Sequence, residues 1–127
     1  MKKITLILLF VVLTQGVYWA QIRNVNSEQF RTELKSNKNA VLIDLRTNDE
    51  LKSKGKIKGA TQIDFFEAGA EKKLLSLDKN KTYLLYCAGG GRSGDAAELM
   101  LKNGFKSLYN LENGFGEWLK KGFEVEK

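Results

Sequence analysis

The only cysteine of the chain, Cys87, closes the apolar run Tyr83 to Tyr86 and is followed by Ala88, Gly89, Gly90, Gly91, Arg92 and Ser93. The thiolate is the nucleophilic form of cysteine, and a nearby cation or a helix N-terminus favours it over the thiol. Small residues let successive backbone N–H groups turn inward as a nest for an anion. A helix opening at Ser93 would aim the positive end of its dipole at the same volume, and Arg92 adds a full charge. The stretch is therefore laid out to stabilise a thiolate at Cys87 and to hold the outer atoms of an anionic substrate without a separate base. That suits a chain containing no histidine. A turn around an inert, buried cysteine would need neither three glycines nor an arginine.

Other chemistries lack their residues. No G-x-x-x-x-G-K-[ST] phosphate loop is present. One cysteine and no histidine make a poor metal site, so neither metal nor cofactor is expected. A second polar pair, Asp44 and Arg46, follows the apolar segment Val41 to Ile43. If both segments are parallel strands, this pair shares a rim with Cys87, where open α/β sheets bind their ligands.

The elements that must position these residues alternate in type. Ser27 is placed to cap a helix through Leu34, with Phe30 and Leu34 on one face. Ala40 to Leu45 is a continuous β-rich apolar run, as expected of a parallel strand covered on both sides. A helix over 48–54 ends at Gly55, a strand covers 60–64, and a helical or irregular segment spans 65–77. Thr82 to Tyr86 is the next strand. Ala96, Ala97, Met100 and Leu101 then fall at helical spacing from Ser93 to Asn103, with Asp95 in the first turn and Gly104 at the end. A short strand over 107–111 and a helix carrying Phe115, Trp118 and Leu119 on its core face, closed by Gly122, complete the chain. The alternation predicts an α/β domain with a central, mostly parallel sheet and helices on both faces.

The first residues carry Lys2 and Lys3, an unbroken apolar stretch from Leu6 to Leu13, then small and polar residues, the layout of a secretory signal. A bilayer-spanning anchor is the alternative, but needs about 20 apolar residues. Gly16 with Thr14 suits a cleavage site, giving a mature start at Val17, or at Gln21 if cleavage follows Ala20. Residues 1–20 are thus expected to be a leader and 21–127 one domain, exported to the periplasm or secreted. Removing Lys2 and Lys3 lowers the formal net charge from +6 to about +4. The remaining cations are scattered, with Lys72, Lys73, Lys120 and Lys121 on solvated faces, so no nucleic-acid partner is expected.

Tyr86 to Gly94 resembles the active-site loop of single-domain rhodanese-like sulfurtransferases, and the resemblance covers nearly all of the chain after the leader. Val41 to Arg46 matches the family's early D-x-R strand. Gly55 to Ala60 matches its G-H-I-x-G-A turn, with Lys56 and Lys58 in place of the histidine and a common proline. Leu111 to Trp118 matches its late G-G-x-x-x-W segment. The resemblance implies the three-layer rhodanese-like fold, in a chain expected to be a monomer. It also implies that Cys87 accepts a sulfane sulfur as a persulfide, a reversible cap on cysteine, from a small donor such as thiosulfate. The sulfur then passes to cyanide or to a small or protein thiol.

In that reading Ala88, Gly89, Gly90, Gly91, Arg92 and Ser93 bind the substrate. Asp44 and Arg46 orient the loop by hydrogen bonds and ion pairing, and Ser93 either caps the helix or donates to the bound sulfur. Relatives that act on phosphate or arsenate, such as the dual-specificity cell-cycle phosphatases, have five residues between cysteine and arginine; this chain has four. That disfavours a phosphatase or arsenate reductase. A non-catalytic interaction module is disfavoured because it need keep neither Cys87 nor Arg92. With no charge in the loop before Arg92, thiosulfate is expected to be a poor donor.

Overall fold

The computed structural model describes residues 19–127. Apart from Trp19 and Ala20, the expected leader lies outside the described residues. Along the chain come β1 (Gln21–Val25), α1 (Ser27–Ser36), β2 (Val41–Asp44), α2 (Asn48–Lys54), β3 (Lys56–Ile57) and β4 (Thr61–Gln62). They are followed by α3 (Ala70–Leu75), β5 (Thr82–Tyr86), α4 (Gly91–Lys102), β6 (Ser107–Leu111), α5 (Gly114–Lys120) and β7 (Val125–Glu126). Five strands form one sheet in the order β1-β6-β5-β2-β4, and every pairing in it is parallel. Among the described residues no helix is long and apolar enough to cross a membrane.

The central strand β5 shows why its sequence is continuously apolar. Tyr83, Leu85 and Cys87 point into a core shared with Ala70 and Leu74 of α3 and Ala96, Ala97 and Met100 of α4. Leu84 and Tyr86 point the other way, into a core shared with Phe30 of α1 and Phe115 and Trp118 of α5. Both faces of the strand are covered, so alternation has no place in it. Each fully buried large side chain stabilises the fold by about 1.5–3 kcal/mol. On the second face the Phe30 ring meets Tyr86 and Trp118 edge-on, at centroid distances of 6.4 and 6.2 Å.

Several local expectations are corrected. Asn26, not Ser27, caps α1: its side chain accepts from Gln29 N at 2.9 Å, and the Gln29 side chain returns a bond to Asn26 N at 3.1 Å. Ser27 is the first helical residue, and its hydroxyl is buried without a partner. Helix α4 opens at Gly91, two residues earlier than expected, because Gly90 turns the chain with φ of 97°. That moves Asp95 beyond the first turn. Strand β1 and the two-stranded antiparallel ribbon of β3 with β7 were not expected from the sequence.

Candidate active site

Strand β5 delivers Cys87 to the rim of the sheet, and the chain from Ala88 to Gly90 arches over its sulfur before entering α4. Gly90 N donates to Cys87 Sγ at 3.1 Å, and Ser93 Oγ lies 3.4 Å from it. Burial pushes the Cys87 thiol up. The Ser93 hydroxyl and the backbone N–H groups of Ser93, Gly89 and Gly90 outweigh it and hold the thiol below its ordinary range. The small residues thus supply what the sequence promised, a ring of donors converging on one sulfur.

Only one of the three loop glycines is required by its backbone. Gly90 has a left-handed φ of 97°, and a Cβ there would meet Glu112 O at 2.1 Å. Gly89 and Gly91 have neither constraint, and side chains there would enter open space. The opposing wall is Gly114, with φ of 69°, where a Cβ would stand 2.3 Å from Ala88 O and 2.6 Å from Gly89 Cα. Phe115 N donates to Cys87 O at 2.9 Å and Gly116 N to Ala88 O at 3.2 Å. The first turn of α5 therefore holds the loop by backbone contact, which no side chain at 90 or 114 would permit.

Arg92 does not stand free over the loop. Its guanidinium forms a bidentate pair with Glu50 at 2.7 and 3.0 Å and stacks 4.9 Å from the ring centroid of the exposed Phe66. Glu50 is fixed by its own helix start, since Thr47 N and Thr47 Oγ1 both donate to its Oε1 at 3.1 Å. Arg92 holds the Glu50 carboxyl down to about 2. The charge credited to the cysteine loop is thus shared with a carboxylate.

Asp44 and Arg46 reach the same rim from β2, but on the other face of the sheet, beside Tyr86 and Phe115. Both are buried. Asp44 accepts from Arg46 N at 2.9 Å, from Arg46 Nη2 at 2.8 Å and from the Tyr86 hydroxyl at 2.5 Å. Arg46 also donates to Gly55 O at 2.7 Å, at the end of α2, and lies 3.9 Å over the Phe115 ring. The pair was expected to orient the cysteine loop by hydrogen bonds and ion pairing: its two members pair with each other, Asp44 bonds Tyr86 at the root of that loop, and Arg46 bonds Gly55 O.

Residues 27–121 match the family model of the rhodanese-like domain. The chain belongs to the rhodanese-like family. This rhodanese-like chain is 34% identical over 108 residues to the uncharacterized protein YqhL of Bacillus subtilis (strain 168), covering 84% of the chain and 81% of that protein. The crystal structure of a rhodanese-like domain protein from Staphylococcus aureus superposes with a TM-score of 0.68 at 28% identity, over 83% of this chain and 99% of the other. The polysulfide-sulfur transferase homodimer from Wolinella succinogenes gives a TM-score of 0.70 at 29% identity, over 83% and 78%.

Two residues of the rhodanese-like site escaped the sequence. Glu50 sits in T-N-D-E, a capping-box pattern that announces a helix start and conceals an arginine partner. Asn110 reads as an ordinary strand residue, yet its Oδ1 accepts from the Ser93 hydroxyl at 2.6 Å. Ser93 accordingly is not the cap of α4; its hydroxyl faces Asn110, Gly90 O and Cys87 Sγ. Among the described residues no group of three or more Cys, Asp or Glu could hold a metal ion. A cavity of about 480 Å³ opens beside Ala88, walled by Phe115 and Leu119 on one side and by Asp49, Glu50 and Lys54 on the other.

Proposed function

We propose that this rhodanese-like protein is a sulfurtransferase that carries a sulfane sulfur on Cys87. The observation that supports this most is the convergence of the Gly90 N–H at 3.1 Å and the Ser93 hydroxyl at 3.4 Å on a single sulfur, in a loop four residues long. The Cys87 thiolate attacks the terminal sulfur of the donor. The donor's S–S bond breaks, its electron pair leaves with the remainder of the donor, and a Cys87 persulfide anion remains. An acceptor thiolate or cyanide then attacks the outer sulfur, and Cys87 leaves as thiolate. The loop donors stabilise the anionic sulfur at both stages.

A polysulfide is the donor this site suits best. Thiosulfate and polysulfide are both dianions, but thiosulfate holds its charge on a sulfonate beside the transferred sulfur, whereas the second charge of a polysulfide lies at the far end of its sulfur chain. The loop's own cation, Arg92, is already paired with Glu50. The Wolinella neighbour is named for transfer from polysulfide. Acceptors are proposed to enter through the cavity beside Ala88, whose apolar wall would take the body of a thiol. The protein would work as a monomer outside the cytoplasm after losing residues 1–20. Intact mass of the product from fractionated cells checks this: a chain retaining Met1 in the membrane fraction would favour an anchor.

Steady-state assays of purified protein test the function, with polysulfide or thiosulfate as donor, cyanide as acceptor, and an aryl phosphate in parallel. Sulfur transfer from polysulfide should exceed that from thiosulfate by roughly two- to fivefold, the worth of one partly exposed charge contact, with no phosphate hydrolysis. Hydrolysis without sulfur transfer would establish the phosphatase reading. Inertness towards every donor would leave an interaction module.

A further inference from the structure

Asn110, on β6, is a buried amide behind the cysteine loop, 5% exposed. Its Oδ1 accepts from Ser93 Oγ at 2.6 Å, while its Nδ2 donates to Asn24 Oδ1 at 3.0 Å and lies 3.4 Å from Gly90 O. Ser93 Oγ is also 3.2 Å from Gly90 O and 3.4 Å from Cys87 Sγ. A hydroxyl has one proton, so three acceptors share it; Asn110, at the shortest distance, draws it most strongly and leaves Cys87 only a part. A thiolate or a persulfide anion needs more of it, a proton aimed at sulfur.

An amide offers a donor at one corner and an acceptor at the other. Turned over, Asn110 would present Nδ2 to Ser93 Oγ and release the hydroxyl proton towards Cys87. Its oxygen would then need a donor at Asn24, whose side chain is exposed on the edge strand β1 and free to turn with it. The chain Cys87, Ser93, Asn110, Asn24 thus runs from the buried sulfur to a surface rotor. With the amide turned over, Asn110 Oδ1 would face Gly90 O, which keeps the Gly94 N–H at 3.0 Å, so the orientation seen, which draws the proton from sulfur, is the favoured one. We propose that Asn110 is a positioning residue for Cys87, directing the Ser93 hydroxyl proton either to the amide or to the sulfur and so setting how well the loop holds an anionic sulfur. The proposal rests on the reading of Cys87 as nucleophile, but its test requires no sulfur donor.

Cys87 is the sole cysteine, so iodoacetamide labelling followed by intact mass reads one site, and labelling rate against pH gives a midpoint. In Asn110→Leu, which keeps the volume, the nearest competing acceptor is gone, the hydroxyl proton is left to the anionic sulfur, and the midpoint should fall by about one pH unit, the size of one oriented hydrogen bond to an anion. Asn110→Asp keeps the shape but only accepts, holds the proton more tightly, and should raise it. Ser93→Ala should raise the midpoint by itself, and adding Asn110→Leu to it should change nothing more.

The charged groups around the loop are the same in every uncharged variant: Arg92 with Glu50, Asp44 with Arg46, Asp64 after β4, Glu112 after β6 and Glu117 on α5. The Leu substitution therefore reports the hydroxyl. An unchanged midpoint in both Asn110 variants, a rise in Asn110→Leu, or the same fall with and without the Ser93 hydroxyl would overturn the proposal and leave Asn110 a packing residue. If the shifts appear while the wild type transfers no sulfur, the persulfide reading fails and this one stands.

Discussion

Strands β2 and β5 are neighbours, run in the same direction and end at one rim, each in a polar group. At the end of β2 the carboxylate of Asp44 is saturated. Two atoms of Arg46 and the Tyr86 hydroxyl bond it within 3 Å, and Arg46 in turn is closed off by Gly55 O and the Phe115 ring. At the end of β5 the sulfur of Cys87 sits under donors from Gly90 and Ser93, in a loop whose Ala88, Gly89 and Gly91 are open to solvent. A scaffold and a site differ in where their donors point. Both are buried and polar, but only the second has donors directed at a group that gains from carrying extra charge or an extra atom.

The two strand ends should fail in opposite ways. Cys87→Ser should reduce sulfur transfer to background, because a hydroxyl is a far weaker nucleophile and carries no persulfide, while the melting curve barely moves. Asp44→Ala should do the opposite and lower stability by about 3–5 kcal/mol, since it strands the buried Arg46 guanidinium. Urea melts and turnover of both variants check this. If Asp44→Ala stays fully folded yet loses transfer, Asp44 belongs to the site.

Within the loop the glycines should separate. Gly90→Ala forces a left-handed backbone and a contact with Glu112 O, and should cost about 1–3 kcal/mol together with most of the activity. Gly89→Ala meets nothing within 4 Å and should change stability by less than about 0.5 kcal/mol. Equal effects in the two variants would mean that the loop is not fixed by its contact with the turn before α5.

The smallest expected effect belongs to Glu50. Arg92 holds its folded-state carboxyl at about 2, below its ordinary 4.5. The pair therefore contributes stability that is fully present above about 4.5 and is lost as pH falls through about 2. Glu50→Gln should cost about 0.5–1 kcal/mol at neutral pH, the pair being partly exposed, and the difference from wild type should vanish at the acid end. A difference independent of pH would show that Glu50 acts by packing. Because Glu50→Gln also frees Arg92, transfer from thiosulfate should improve relative to polysulfide.

What was legible in the sequence follows from how each feature is stabilised. The central strands were readable because burial on both faces demands continuous apolar runs, here 41–43 and 83–86, and α4 because Ala96, Ala97 and Met100 repeat at helical spacing. Strand β1 was not, since an edge strand with Gln21, Arg23 and Asn24 exposed has no pattern to show. The ribbon strands of two residues are shorter than any period. Cys87, Gly90 and Ser93 were visible as a contiguous loop. Their partners Glu50 and Asn110 come from distant elements, and nothing in the local sequence distinguishes a capping glutamate from one that also binds Arg92.

If Cys87 accepts a sulfane sulfur, mass spectrometry of the protein after brief exposure to polysulfide will see it without any acceptor present. Fully reduced protein should gain the mass of one sulfur atom, located on the peptide containing Cys87, and should lose it again on adding cyanide or a thiol. Cys87→Ser should gain nothing. A wild-type protein that stays at its reduced mass under conditions where iodoacetamide labels Cys87 completely would contradict the claim, for it would show a reactive thiolate that does not carry sulfur.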